Sequence, residues 1–370
     1  MKRIKLNAYF AKNLGDDLMV HTLLDRYPQS TFWSEQSTTA CDLFLRYPNF
    51  EDHSMICKRW GKLARLLHVL TFGRFGYALL NELSRRRTRS CQASVTIGGS
   101  MFIQQDGRSV KECLDREERA LCVRPRFVIG ANFGPYQTED FREGFHEFFQ
   151  TCEGVTFRDR YSYDLFSQLP CVDYAPDVVL SMEVSHLRGR APKNTVVISV
   201  IDLSHRPSLR SHMETYHGFI RSLCRSCLAQ GQTPVLMSFC ESEGDLRAIG
   251  QILSGLSEED RQKVRTYDYQ GDLQAALEIL AECKTIIATR FHAMILALLL
   301  GKPFFCISYS DKSRHFLDDL GCDAYCPIDA LHTLRAEEIL AHGTTVVDAS
   351  SAIWASHEQF SRFERYMSHG

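Results

Sequence analysis

The block Thr289-Arg290-Phe291-His292-Ala293 carries the densest potential chemistry in the chain. A short apolar stretch precedes it, and the run Ala293 to Leu300 has the composition of a buried helix. The N-terminus of such a helix adds partial positive charge beside the Arg290 guanidinium, so together they make a site for phosphate or carboxylate. His292 at that place is suited to proton transfer; the plainer alternative is a helix-capping or core histidine. Gly301-Lys302-Pro303 and a further strand follow, then Tyr309-Ser310-Asp311-Lys312. In a parallel sheet, Lys312 emerges at the same edge as Arg290.

Three further sets of loops follow strands. Asn13-Leu14-Gly15-Asp16-Asp17 opens a helix. Glycine permits close backbone approach there and free N–H groups can hold an anion, although Asn13 as a cap and two aspartates complementing the dipole would look the same. Gly98-Gly99-Ser100 offers backbone amides to a substrate or is only a tight turn. Gly130-Ala131-Asn132-Phe133-Gly134-Pro135 and Arg158-Asp159 read equally as a site and as turn chemistry with a surface ion pair. No GxGxxG fingerprint and no GxxxxGK[ST] loop occurs, which disfavours a dinucleotide-dependent dehydrogenase and an NTPase.

These loops need strands and helices in alternation, and the chain supplies them. Strands are expected at Lys2–Tyr9, Cys41–Leu45, Ala93–Ile97, Phe127–Gly130, Val155–Arg158 and Val172–Tyr174, with helices from Asn13 to about Arg26 and over Glu139–Phe149. Leu187 to Asn194 is polar, carries turn formers and reads as a linker. The pattern then restarts with strands at Thr195–Val200, Pro234–Phe239, Val264–Tyr267, Thr285–Ala288 and Pro303–Ser308. Helices fall between them over Ser211–Gln230, Asp245–Leu253, Asp272–Cys283 and His292–Leu300. The expected fold class is α/β, with two doubly wound Rossmann-like domains facing a cleft. The domains run 1–186 and 187–345, and a C-terminal helical segment, 346–370, closes the chain.

Composition agrees with a packed protein and narrows the partners. The 370 residues are 44% hydrophobic and 24% charged, excluding a mainly disordered chain, and suggest two domains at ~150 residues each. With 43 Lys and Arg against 45 Asp and Glu, the net charge of −2 gives no reason to expect nucleic acid. No signal-peptide pattern is seen at the start, so the expected location is cytoplasmic. The 14 cysteines are scattered, and the one CxxC, Cys224 to Cys227, sits in a helical stretch, so reduced, mostly buried thiols are expected rather than disulfides, zinc or redox chemistry. Residues 58–89 carry a local basic excess on an apolar helical pattern. That is either a solvated helix flank or a face for an anionic bilayer at the inner side of the membrane.

In this order and spacing the blocks resemble the polysaccharide pyruvyl transferase family. The matching elements are Asn13/Gly15-Asp16-Asp17, Gly98-Gly99, Gly130 to Gly134-Pro135, Arg158-Asp159 with Ser162, Ala175-Pro176-Asp177 and the block from Arg290 to Lys312. The segment from about His53 to Cys91 carries no matching motif. The resemblance implies a fold similar to the GT-B glycosyltransferases, with the first domain on the acceptor side. It also implies transfer of a pyruvyl group from phosphoenolpyruvate to two hydroxyls of a sugar or lipid-linked oligosaccharide, forming a ketal without metal or organic cofactor. In that chemistry Arg290, Lys312 and Arg158 supply cations, and His292 with Asp16 or Asp17 across the cleft supplies acid and base. Asn13, Gly15, Gly98, Gly99, Ser100, Asn132 and Tyr309 contact substrate. A nucleotide-sugar GT-B glycosyltransferase and a non-catalytic glycan-binding protein of the same fold are the alternatives.

Overall fold

The computed structural model describes residues 1–35, 44–52, 86, 88–104, 107–204 and 206–369. They form two compact units: Met1–Phe10, Met19–Val178 and Ala355–Gly370 in the first, Ala11–Leu18 and Val179–Trp354 in the second.

The first unit holds β1 (Arg3–Ala8), β2 (Thr31–Ser34), β3 (Phe50–Asp52), β4 (Ala93–Ile97), β5 (Arg126–Ala131), β6 (Gly154–Phe157) and β7 (Val172–Tyr174). They make one parallel sheet in the order β3-β2-β1-β4-β5-β6-β7. Its helices are α1 (Leu14–Arg26), whose first turn clusters with the second unit, α2 (Val110–Ala120), α3 (Glu139–Gln150) and α4 (Arg160–Phe166). Every residue of β4, β5 and β6 is buried, as expected of strands covered on both faces. In α3 the residues Phe141, Phe145, Phe148 and Phe149 recur at helical spacing and lie in an aromatic core with Phe102, Phe133, Phe157 and Phe166. Phe133 and Phe166 meet edge to face at 4.8 Å. Truncating Phe145 there would cost ~3–5 kcal/mol through the cavity left behind.

The second unit holds β8 (Thr195–Val200), β9 (Thr233–Ser238), β10 (Arg265–Asp268), β11 (Thr285–Ala288), β12 (Phe304–Ser308) and β13 (Tyr325–Pro327), parallel in the order β10-β9-β8-β11-β12-β13. Helices α5 (Met213–Ala229), α6 (Asp245–Ser254), α7 (Glu258–Lys263), α8 (Leu273–Glu282), α9 (Phe291–Leu300) and α10 (Asp311–Asp319) connect or follow these strands. In both sheets the strand order reverses direction once, between β1 and β4 and between β8 and β11. The crevice at such a reversal, beyond the carboxyl ends of the strands, is where this kind of sheet binds ligands.

The C-terminal α11 (Ser350–Ser356) and α12 (Ser361–Ser368) flank a short turn at His357–Phe360. From Ala355 onward this segment packs in the first unit. Arg26 Nε donates to Glu364 at 2.7 Å, and Phe363 meets Tyr27 and Phe127 edge to face, each at 5.1 Å. No helix among the described residues is long and apolar enough to cross a membrane.

Several local expectations change. Cys41, Asp42 and Leu43 lie outside the described residues, while Phe44 and Leu45 start a short helical turn rather than ending a strand. The strands β2, β3 and β13, of three or four residues each, were not anticipated. Helix α2 is hidden by its charge but announced by Ser109 and Glu112, which close a reciprocal capping box. The polar stretch Leu187–Asn194 lies inside the second unit rather than between the two, with Arg188 donating to the Leu299 carbonyl at the end of α9. The basic segment 58–89 lies outside the described residues apart from Arg86, Thr88 and Arg89. The CxxC thiols are buried within α5, and burial pushes both up to about 12, far from a reactive thiolate.

Candidate active site

At the reversal point of the second sheet, the ends of β8 and β11 are stitched together. Ser199 Oγ accepts the N–H groups of Thr289 at 2.8 Å and Arg290 at 3.1 Å. The buried Tyr216 hydroxyl donates to Thr289 Oγ1 at 3.1 Å and accepts the Ile201 N–H. Helix α9 then begins. All its residues except His292 are buried, and Gly301 ends it in the left-handed conformation at φ 64°. His292 is thus the half-exposed position in the first turn of an otherwise enclosed helix, with Phe291 edge-on at 5.4 Å.

Arg290 does not stand open to a ligand. It is 6% exposed, and its guanidinium forks onto both oxygens of the fully buried Asp245 while Nη1 bonds Glu243. Burial opposes its charge, but Asp245 and Glu243 outweigh that and hold it protonated. The expectation that Arg290 presents unmatched positive charge to a donor is therefore corrected: two carboxylates already meet that charge. Asp245 also accepts the N–H groups of Phe239 and Cys240, each at 3.0 Å, so Arg290 locks the β9 end against the start of α9.

The Asn13–Asp17 block was expected in the first domain, across from His292. It instead clusters with the second unit, because its polar groups are taken up there. Leu14 N–H donates to the Phe239 carbonyl at 3.0 Å, and Asn13 Nδ2 to Glu243 Oε1 at 3.1 Å. Asn13 Oδ1 accepts the Gly15 N–H at 3.1 Å, which is the capping arrangement the plainer reading called for. Gly15 abuts His292: a Cβ at this position would overlap Nδ1, Cγ and Cε1 of the imidazole. Asp16 is half-buried beside it.

Asp17 is fully buried, with Tyr269 donating to Oδ2 at 2.7 Å and no hydrogen-bond partner for Oδ1 among the described residues. Burial pushes its carboxyl up to about 8, so it carries a proton at neutral pH. That corrects its place as a substrate-facing base. Asp16 is the member of the pair with solvent access.

Positive charge gathers instead around Tyr309, directly after β12. Burial raises its phenol, but Lys312, Arg206 and Arg290 more than reverse this, and the hydroxyl titrates below the ordinary tyrosine range. The Arg206 guanidinium lies over the Tyr309 ring at 4.8 Å and Lys312 Nζ over the Phe291 ring at 5.4 Å. Arg206, Glu243, Asp245 and Tyr269 were missed from sequence. The strand-end rule would have drawn attention to all four, since they follow β8, β9, β9 and β10, but their pairing has no sequence signal.

In the first unit the remaining motif blocks converge on Arg158. Its guanidinium donates to Asp177 Oδ2 at 2.7 Å and Asn132 Oδ1 at 2.9 Å, and a side chain at Gly99 would overlap it. Asn132 N–H donates to the Gly99 carbonyl at 2.8 Å, and Ser162 Oγ accepts the Phe133 N–H at 2.7 Å. Ser162 in turn donates to Asp159 at 2.9 Å. Arg158 is 5% exposed and Asp177 fully buried, so this pair knits the ends of β4, β5 and β6 to the loop after β7. The expectation of Arg158 as a donor-binding cation is corrected to a tether. Gly98 and Gly99 are buried, Asn132 is half-buried and Ser100 is exposed at the loop tip.

One tether was invisible from sequence. Gln359 in the C-terminal turn is 1% exposed. Its Oε1 accepts the Gly130 N–H at 2.8 Å, and its Nε2 donates to the carbonyls of Ala175 at 2.6 Å and Pro176 at 3.0 Å. Gly130 sits at a β5 irregularity with φ 72°, and a side chain there would strike Met19 and Val178.

The family model of polysaccharide pyruvyl transferases matches residues 13–311, from the Asn13 cap to the first residue of α10. The chain belongs to this family. Among its relatives is AmsJ, an amylovoran biosynthesis protein of Erwinia amylovora, 23% identical over 368 residues that cover 87% of this chain and 86% of AmsJ. The fold is that of the GT-B glycosyltransferases. HepE of Anabaena, solved with UDP and glucose, superposes with a TM-score of 0.53 at 13% identity over the whole of both chains. The UDP-forming α,α-trehalose-phosphate synthase of Burkholderia vietnamiensis gives 0.50 at 11% identity, over 97% of this chain and 94% of its own. Family and relative together assign a transferase role in polysaccharide biosynthesis. The GT-B likeness bears on the fold alone.

Proposed function

We propose that the chain transfers the pyruvyl group of phosphoenolpyruvate onto two hydroxyls of one sugar, forming a cyclic ketal and releasing inorganic phosphate. The observation that carries this reading is the charge around Tyr309. Arg206 lies over the Tyr309 ring at 4.8 Å and Lys312 over the ring of Phe291, the chain neighbour of His292, at 5.4 Å, so two cations stand near the start of α9, and phosphoenolpyruvate is a small, multiply charged anion.

Lys312 and Arg206 take the phosphate and carboxylate, with Arg290 holding the loop rather than the ligand. His292 donates a proton to the enol methylene, which builds oxocarbenium character at the adjacent carbon. Asp16, beside the Gly15 that fits against the imidazole, accepts the proton of the attacking sugar hydroxyl. The phosphate then leaves, taking the proton held by Asp16, as the second hydroxyl closes the ring and returns its proton to His292. A positioned acid or base contributes ~10²–10⁴-fold to such a step. The reaction requires no metal or organic cofactor, and the use of phosphoenolpyruvate favours a cytoplasmic site. A lipid-linked oligosaccharide is the acceptor form that would suit contact of residues 58–89 with the inner face of the membrane.

The test is phosphate release from phosphoenolpyruvate with and without surface-glycan fragments, beside thermal shift against a panel of nucleotide sugars. Acceptor-dependent release, with KM for phosphoenolpyruvate raised about tenfold by Lys312→Gln, is the expected result. A shift with a nucleotide sugar and none with phosphoenolpyruvate would overturn the proposal, since a ligand stabilises by RT ln(1 + [L]/Kd).

A further inference from the structure

Aromatic side chains gather at the carboxyl edge of the first sheet. Tyr9, directly after β1, is 46% exposed, and Tyr161, in the first turn of α4 after β6, is 49% exposed. Tyrosines displayed to that degree, at the sheet edge where this kind of fold binds ligands, offer apolar ring surface to a ligand.

Their setting is ordered. Tyr136, in the loop after β5, lies 5.4 Å from the buried Phe133 ring and parallel to Phe141 at 6.5 Å. Asn132, whose amide oxygen is already fixed by Arg158, and the exposed Ser100 follow β5 and β4, between the outer tyrosines in the strand order β1-β4-β5-β6. Asp159 and Glu139 place negative charge beside Tyr161. That charge disfavours an anion such as phosphoenolpyruvate but accepts hydrogen bonds from neutral hydroxyls.

A pyranose has an apolar C–H face and a rim of hydroxyls. Rigid tyrosine rings cover the first at low entropic cost, while amide, hydroxyl and carboxylate groups pair with the second. Three strand spacings of ~4.8 Å separate the ends of β1 and β6, a span of about 14 Å, longer than one sugar ring.

We propose that Tyr9, Tyr136 and Tyr161, with Ser100 and Asn132 between them, form a saccharide-binding rim that engages at least two consecutive units of the acceptor glycan. This rests on the reading of the acceptor as a polysaccharide or its precursor. It assigns recognition of neighbouring sugars, beyond the one that is modified, to the tyrosines.

Saturation-transfer NMR on the full chain without phosphoenolpyruvate tests it. The probes are linear glucose, galactose and mannose trisaccharides, their methyl monosaccharides, and fragments of the producing cell's own surface glycan. Transfer from an oligosaccharide stronger than from its monosaccharide is expected. Affinity should fall about tenfold in Tyr161→Ala and Tyr9→Ala, the size of one lost aromatic contact, and be largely restored in Tyr161→Phe. The phosphoenolpyruvate thermal shift of Tyr161→Ala should match the parent. Oligosaccharide binding unchanged in both alanine variants, equal binding of the monosaccharide, or no transfer from any probe overturns the rim. Tyrosine-dependent glycan binding without phosphate release would instead refute the pyruvyl chemistry and leave the rim standing.

Discussion

Gly15 leaves no room for a side chain against the imidazole of His292, so the first turn of α1 sets where that ring sits. Gly15→Ala should therefore act on chemistry more than on folding. Alanine gains ~1 kcal/mol in helix propensity, which offsets part of the packing conflict. The displaced imidazole should lower turnover ~10²-fold, the scale of an ångström-level misplacement. Phosphate-release kinetics beside a melting curve check this, and turnover within twofold of the parent would refute it.

Arg290→Ala should be a stability variant. It leaves Asp245 buried without its cation and Glu243 half-compensated, a change worth ~3–5 kcal/mol. Burial already lifts Asp245 above the ordinary carboxylate range, so once Arg290 is gone the acid should hold a proton. Urea unfolding should then show a smaller deficit at pH 5 than at pH 8. A deficit below ~1 kcal/mol at both pH values would count against the ion cluster.

Asp17 gives a pH signature of its own. Its folded-state value, about 8, lies above the ordinary aspartate value of 3.8, so between these limits the folded chain binds more protons than the unfolded one. Its contribution is fully present below about pH 4 and is lost as pH rises through about 8. Asp17→Asn keeps a neutral acceptor for Tyr269 and lacks this titration. The variant should gain stability relative to the parent steadily from pH 4 to pH 8. A pH-independent difference across that range would show that Asp17 is already ionised.

Gln359→Ala strips partners from the Gly130 N–H and the Ala175 and Pro176 carbonyls, all in buried surroundings. A loss of ~2–4 kcal/mol is expected from groups left unpaired. Gln359→Glu should be worse, and more so at high pH, because a carboxylate would face carbonyl oxygens. Denaturant titration of both variants decides, and parental stability in Gln359→Glu at pH 8 would overturn the assignment.

Where a block was both short in sequence and governed by strand-end position, the alternation of strands and helices was enough to put it at the carboxyl edge of a sheet. Gly98-Gly99, Asn132, Arg158 and Asp177 do meet, since each follows a strand of one parallel sheet. What escaped was the state of the charges. Nothing in the order of residues says that Asp245 and Glu243, more than 40 positions away, neutralise Arg290, or that Asp177 claims Arg158. Arg290 and Arg158 drew attention by being cationic and turned out to be occupied. Arg206, in a loop with no motif, also pairs with Glu243, at 3.8 Å, yet retains 38% of its side-chain exposure. The location of Asn13–Asp17 was equally hidden, for it depends on acceptors at Phe239 and Glu243.

The assignment of Ala11–Leu18 to the second unit, and of Ala355–Gly370 to the first, means that neither unit is a continuous stretch of polypeptide. Chimaeras that exchange glycan preference between relatives by a single crossover near Val178 would therefore trade the wrong pieces. The imported front half would bring a foreign partner for Tyr269 and a foreign surface against His292, while the retained tail would meet an unfamiliar Gly130. Three junctions, placed near residues 10, 18 and 354 in addition to the one near 178, are what a working graft requires.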